Sequence, residues 1–490
     1  MKDLKERTVR GGLANLFCQA ANFAIRIVSL MAMSRLLDPK DFGLVAMVTA
    51  ITGVFGLFTT FGLSSATVQR ATITDEQVST LFWINILLGA ILALLCLVTA
   101  PFLVAFYHEP RLLWVTVALS SGFLINAAGV QHSALLQREI RFVAMSVIEI
   151  VASLISTTVA IAMAFAGLGY WALVGSAIAQ PAVSTIGKWL AVSWVPGRPH
   201  SKVGIRSMIG FGGTITLNGL VVYIAYNLQN VLLGRFCGAN ALGLYGRADS
   251  FINIPTQTLN MAIGSVAFSA LSRLQDNPAL QKSYFLKGYS LVMSMTLPIT
   301  LVCALFADDL ILVFLGPKWT EAIIIFRLLT PTVLIFGMIN PLGWLLISSG
   351  LQVRSLKLAL VIAPLTITAY FLGLPYGPKG VAFAYSAAMT LWLVPHIIWC
   401  IHGTLITLRD LLFAIGKPFL SGVAAAVPAY GVLFFCGQSL SPFLRLLLGC
   451  SVMFVIYLLI LLFVMGQKTF YLNLIRGLKK PSSTDLKVSV

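Results

Sequence analysis

The chain has 490 residues, 58% of them hydrophobic and 10% charged, with a mean hydropathy of +0.93 and a formal net charge of +17. That much apolar surface excludes a soluble globular protein, which would aggregate. The positive charge does not mark a nucleic-acid-binding protein, because it follows a membrane topology instead of forming one basic domain.

Apolar runs of about 20 residues recur along the chain, each long enough to cross a hydrocarbon core of about 30 Å as a helix. Barrel strands would alternate over about 10 residues, and these runs do not. The expected fold is an all-α polytopic membrane protein. Its fourteen predicted spans are 11–34, 42–63, 78–102, 112–134, 143–166, 171–194, 208–233, 243–268, 285–307, 322–348, 356–374, 380–401, 418–436 and 443–465. The first run follows Lys2, Lys5, Arg7 and Arg10. It is too long for a cleavable signal and lacks a small-residue cleavage site, so it reads as a span. With the N-terminus inside, 23 of the 33 Lys and Arg fall on cytoplasmic ends, loops and tail; nine fall opposite, and Arg26 lies mid-span. The positive-inside rule then places both termini in the cytoplasm.

Span one carries Asn15, Gln19, Asn22 and Arg26 at spacings of 4, 3 and 4, a single polar face. Arg26 lies about 13 Å below Arg35 at the helical rise of about 1.5 Å per residue. A charge at depth costs roughly 2.5–3.5 kcal/mol and usually faces a polar cavity. Arg26 is therefore either an anion-binding residue in a cleft or a snorkelling or internally paired structural arginine. Glu149 in span five is a buried acid. It suits ion coupling, or a structural role beside a hydroxyl, Arg138 or Arg141. Span seven holds Asn218, Asn227, Gln229 and Asn230. Span eight holds Arg247, then Asp249, Asn253, Gln257 and Asn260 at spacings of 4, 4 and 3, with Pro255 expected to kink it. Asp249 either pairs with Arg26 across a cleft, as a gate, or neutralises Arg247. His396 in span twelve reads as a packed histidine. Trp83, Trp114, Trp171, Trp194, Trp319 and Trp344 lie near predicted span ends and read as interfacial anchors.

Chemistry-bearing motifs are scarce. The seven cysteines are scattered without CxxC or Cys/His metal spacing and read as apolar fillers. Gly204–Gly213 lacks the GKS/T ending of a nucleotide-binding loop. Neither a metal, a cofactor nor a catalytic residue is expected, so the chain reads as a non-enzyme.

The organisation shows in a repeat. Arg35-Leu-Leu-Asp-Pro-Lys-Asp-Phe-Gly43-Leu44 and Arg235-Phe-Cys-Gly-Ala-Asn-Ala-Leu-Gly243-Leu244 match in Arg, Gly and Leu at an offset of 200. Gly167–Val174 before span six echoes Gly377–Ala384 before span twelve. The unit is then six helices. Six is even, so the copies share one orientation about an axis along the membrane normal, with a cleft between them. The expected plan is a lobe over 1–200, a second over 201–403, and two extra helices with a basic tail over 404–490.

Five stretches carry a resemblance: Arg35–Gly43, Phe61–Arg70, Leu81–Asn85, Phe268–Asp276 and Phe314–Trp319. Their order and spacing resemble bacterial polysaccharide exporters of the O-antigen, colanic-acid and succinoglycan flippase type. These belong to the MATE-like multidrug/oligosaccharidyl-lipid/polysaccharide superfamily. The resemblance implies a MATE-like fold in the bacterial inner membrane. It implies a substrate too: a sugar repeat unit on undecaprenyl pyrophosphate, flipped from the cytoplasmic to the periplasmic leaflet. Polymerase and chain-length-control proteins are its implied partners. Arg26 and Arg247 would meet the pyrophosphate, and the amide stripes would meet sugar hydroxyls. The two extra helices would form a groove for the lipid tail. Two rivals stand beside it. An ion-coupled drug antiporter of the same fold would favour twelve spans and a buried first-lobe carboxylate. A membrane polymerase or glycosyltransferase would need a long outer loop or an acidic catalytic motif.

Overall fold

The computed structural model describes residues 21–59, 67, 73–199, 206–436, 440–469 and 471–472; for 206–219, 221–222, 261–262 and 265–266 it describes the backbone alone. Its regular elements are helices. In chain order they are α1 (21–36), α2 (Pro39–Gly56), α3 (Asp75–Tyr107), α4 (Leu112–Arg138), α5 (Phe142–Phe165) and α6 (Trp171–Ala191). The segment Arg206–Ser272 is broken at Gly238 (φ 83°, ψ 176°), giving α7 (206–237) and α8 (239–272). There follow α9 (Pro278–Leu305), α10 (Ala307–Phe314), α11 (Ala322–Ser348), α12 (Gln352–Gly373), α13 (Gly377–Ile401), α14 (Leu408–Cys436) and α15 (Pro442–Leu459), which continues as a π-turn over Ile460–Val464.

The starts of these helices are written locally. Thr74 Oγ1 accepts from the Gln77 amide at 3.3 Å while the Thr74 amide donates to Gln77 Oε1 at 3.2 Å. This reciprocal box satisfies two amides that the first turn leaves unpaired. It lets α3 begin three residues before its predicted span. Thr407 and Asp410 make the same exchange before α14, at 2.8 and 3.3 Å. Asn277 caps α9 and Ser441 caps α15, each with a proline in the first turn. One element departs from expectation. The predicted outer loop after span nine contains α10 and a tight turn over Pro317–Trp319, entered through Gly316 (φ 97°).

Eight described segments are long and apolar enough to cross a membrane: α3, α4, α5, α9, α11, α12 with α13, α14 and α15. The chain is thus an integral membrane protein. Two compact units are distinguished by their internal contacts. The first comprises the described residues up to Arg247 with Phe314–Ala322 and Ile362–Ala384; the second comprises Ala248–Val313, Ile323–Val361 and the described residues from Tyr385. In the first, α3 packs on α4, α5 on α6, and α6 returns onto α4, with α2 against all three of α3, α4 and α6. In the second, α14 packs on α9 and α15, around a core that includes Phe285, Tyr289, Met293, Leu345 and Leu411.

Candidate functional site

The tightest contact in the first unit is the crossing of the first turns of α2 and α8. A Cβ on Gly43 would fall onto the carbonyl of Ala239, and a Cβ on Gly243 onto the carbonyl of Pro39. Only glycine tolerates such an approach. Positions 39 and 239, like 43 and 243, differ by the offset of the sequence repeat, 200. The contact is therefore reciprocal, as across a two-fold axis.

Beside this crossing, Phe314–Ala322 covers the α1–α2 junction. Trp319 is fully buried, donates its Nε1 hydrogen to the Ser34 carbonyl at 2.7 Å, and meets the Phe42 ring edge-on at 5.4 Å. This corrects its reading as an interfacial anchor: an indole that finds an internal acceptor can be buried whole. Lys318 pairs with Asp38 at 2.9 Å. Arg247 lies one turn beyond Gly243, with its guanidinium 3.9 Å from the centre of the Phe42 ring. Its Nε is shielded from solvent and has no hydrogen-bond partner. A ring face favours the cation by about 0.5–2 kcal/mol and does not engage the in-plane Nε hydrogen, a donor that suits a phosphate oxygen.

The four polar residues of the α8 stripe meet two different environments. Asp249 accepts from Asn253 Nδ2 at 3.0 Å, and both are half-buried. Gln257 is exposed, whereas Asn260 turns its Oδ1 into the interior. On α1, Asn15 and Gln19 lie outside the described residues. Asn22 is half-buried and Arg26 exposed, but so is Val28, so exposure alone does not set a polar face of α1 apart. On α7 the side chain of Asn218 lies outside the description; Gln229 accepts from the Tyr245 hydroxyl at 2.7 Å, and Asn227 donates to the Tyr223 carbonyl at 3.0 Å.

Glu149 is held by α6. It accepts from the Ser184 hydroxyl at 2.7 Å and pairs with Lys188 at 3.2 Å. The expected hydroxyl is present, but the cation is Lys188, not Arg138 or Arg141. Arg138 donates to the Thr67 carbonyl and Arg141 to the Ala191 carbonyl. Ser184 and Lys188 are four residues apart, one helix face, which is the signal in the sequence that identifies the partner. His396 is buried with its Nδ1 unpartnered, beside Trp392.

Two polar features carry no sequence signal. Asp309 of α10, 1% exposed, takes a bidentate grip from Arg445 of α15, Nε lying 2.8 and 2.9 Å from the two carboxylate oxygens. Asn85, Gln131 and His132 are buried in the first unit, where His132 stacks on Trp189 at 4.3 Å. Among the described residues no three His, Cys, Asp or Glu side chains are grouped to hold a metal ion.

Residues 32–324 match the family described as polysaccharide biosynthesis protein. The chain belongs to that family. The match takes in the Gly43–Gly243 crossing, Glu149, Arg247 and the whole α8 stripe, and leaves Arg26 outside. Among curated relatives, the chain is 25% identical over 353 residues to the lipopolysaccharide biosynthesis protein WzxC of Escherichia coli K12, covering 71% of each. Among solved structures, its fold is similar to that of the lipid II flippase MurJ in an inward closed conformation, with a TM-score of 0.73 at 14% identity over 96% of this chain and all of that one. It is similar also to an inward-facing multidrug MATE transporter, with a TM-score of 0.62 at 14% identity over 81% of this chain and 96% of that one. The polysaccharide biosynthesis family is thus built here on a MurJ- and MATE-like helical fold, as the sequence resemblance implied.

Proposed function

We propose that this chain is a flippase that moves undecaprenyl-pyrophosphate-linked sugar repeat units across the bacterial inner membrane by alternating access, and that it is not an enzyme. Membership of the polysaccharide biosynthesis family carries this reading. The fold it shares with a lipid II flippase supports it. So does Arg247, a buried guanidinium with an uncommitted Nε. In this reading Arg247 and Arg26 meet the pyrophosphate. Asn15, Gln19, Asn22, Asn253, Gln257 and Asn260 meet sugar hydroxyls. Asp249 serves as gate or coupling carboxylate; Glu149, already paired with Lys188, has less freedom for that role.

The same proposal includes fourteen spans, cytoplasmic termini and the lobes 1–200 and 201–403 followed by 404–490. The distribution of Lys and Arg and the 200-residue offset of the α2–α8 crossing support these. Polymerase and chain-length-control proteins would receive the product.

The test is where the lipid-linked sugar sits in a strain lacking the chain. We expect it to accumulate on the cytoplasmic leaflet, reachable by a membrane-impermeant sugar-binding probe in inside-out vesicles only. Normal leaflet distribution with shortened polymer would instead identify a polymerase. Normal distribution with altered drug efflux would identify an antiporter.

A further inference from the structure

The stretch Phe314–Trp319 carries part of the sequence resemblance but has no place among the substrate residues proposed above. Its contacts put Phe314–Ala322 in the first unit, although Val313 and Ile323, on either side, belong to the second. What this strap holds is a helix end. The Ser34 carbonyl is among the last four of α1, which a helix leaves without a donor. The amide four places on is committed elsewhere: Asp38 donates to Asp41 Oδ2 at 3.2 Å. The Trp319 indole donates to Ser34 instead, at 2.7 Å, and is fully buried there with its ring 5.4 Å from that of Phe42. Ser34 is itself wholly buried, its hydroxyl without a hydrogen-bond partner. At the rim, Lys318 pairs with Asp38 at 2.9 Å, both side chains nearly half exposed.

These contacts are of a kind that can be undone and remade. A half-exposed ion pair contributes little. A carbonyl at a helix end accepts from water once the indole leaves. What remains is the burial of one aromatic side chain. Gly316, at φ 97°, supplies the bend by which the strap enters its socket. We propose that Phe314–Trp319 is a latch. Trp319, seated on Ser34 and Phe42, holds shut the end of the fold at which α1 gives way to α2, and each transport cycle lifts it out. A strap continuous with one unit and bedded in the other has two discrete positions, seated and lifted, which is what a bistable transporter needs. This role rests on the alternating access proposed above, and not on the substrate.

The test uses the full-length protein in membranes, in a background lacking the native cysteines. Ser34→Cys keeps the backbone carbonyl and reports on the socket. A hydrophilic maleimide should label it at least about tenfold more slowly than in the pair Ser34→Cys with Trp319→Ala, because the lifted state is a minor one of about 0.1–10%. Ser34→Cys that never labels would show that the strap stays seated, and would overturn the latch. Labelling as fast as in the pair would overturn it too, since Trp319 would then not cover the socket. Asp38→Cys with Lys318→Cys allows the strap to be pinned by a short bifunctional thiol reagent that a reductant releases. Pinning should stop export and release should restore it; export that continues while the strap is pinned sinks the proposal. Should the unaltered chain export no lipid-linked sugar, the substrate reading fails instead, and labelling of Ser34→Cys alone decides the latch. It does so too where the double-cysteine variant does not fold.

Discussion

Arg247 combines burial with an uncommitted donor, held on the face of Phe42. If it grips a phosphate, Arg247→Ala removes a charge-assisted hydrogen bond, about 1.5–3 kcal/mol. That corresponds to a fall of roughly tenfold to a hundredfold in export per inserted molecule. Arg247→Lys should restore only part, because an ammonium keeps charge and loses the planar fork. Arg26→Ala is expected to abolish export while protein abundance is kept; normal export per molecule in that variant would remove Arg26 from the site. Asp309 and Arg445 behave differently. Breaking a buried pair from one side leaves a stranded charge, costing about 3–5 kcal/mol, whereas replacing both partners with apolar residues is often nearly neutral. Asp309→Leu and Arg445→Leu should therefore each lower the thermal midpoint in detergent by more than the double variant does. An additive double variant would show that the two side chains do not act as a pair.

At the scale of elements, the crossing of α2 and α8 leaves no room for a side chain at either glycine. Gly43→Ala and Gly243→Ala should each push the two helix starts apart and cost about 1–3 kcal/mol by overpacking. Once one substitution has opened the crossing, the second meets less resistance. The double variant is then expected to cost clearly less than the sum, readable from thermal midpoints of the three variants. The break at Gly238 matters here: its φ of 83° is a conformation that other residues adopt only under strain. It turns the chain so that Ala239 can present its carbonyl to Gly43. The strap around Trp319 belongs to the same assembly. Trp319→Phe keeps the aromatic bulk and strands the Ser34 carbonyl, so it should cost about 1–3 kcal/mol.

Across the whole molecule, the helical fold was legible because apolar runs of span length leave few alternatives. Helix ends were less so. Thr74 starts α3 ahead of its apolar run through a capping box, which hydropathy alone does not register. α10 was missed because eight residues between two spans look like loop. The Arg…Gly-Leu match at Arg35–Leu44 and Arg235–Leu244 contains both glycines of the α2–α8 crossing. The site was legible in part. Spacing alone puts Asp249, Asn253, Gln257 and Asn260 on one face. It cannot say that Asn260 buries its Oδ1 while Gln257 stays exposed, because that depends on helices distant in the chain. The Asp309–Arg445 pair, 136 residues apart, leaves no local trace.

The reciprocity of the α2–α8 crossing has a bearing on ancestry. Each glycine packs on the counterpart, 200 residues away, of the residue that its own counterpart packs on, so two identical chains carrying this segment could make the same contact as a homodimer. A gene duplicated and fused end to end would inherit a ready interface. If the chain divides into the proposed lobes 1–200 and 201–403, the covalent joint between them is not what the crossing needs. The present chain, severed there and expressed as two polypeptides, should co-purify as a complex and restore export. Fragments that never associate would show that the covalent joint, and not the crossing, now brings the two copies together.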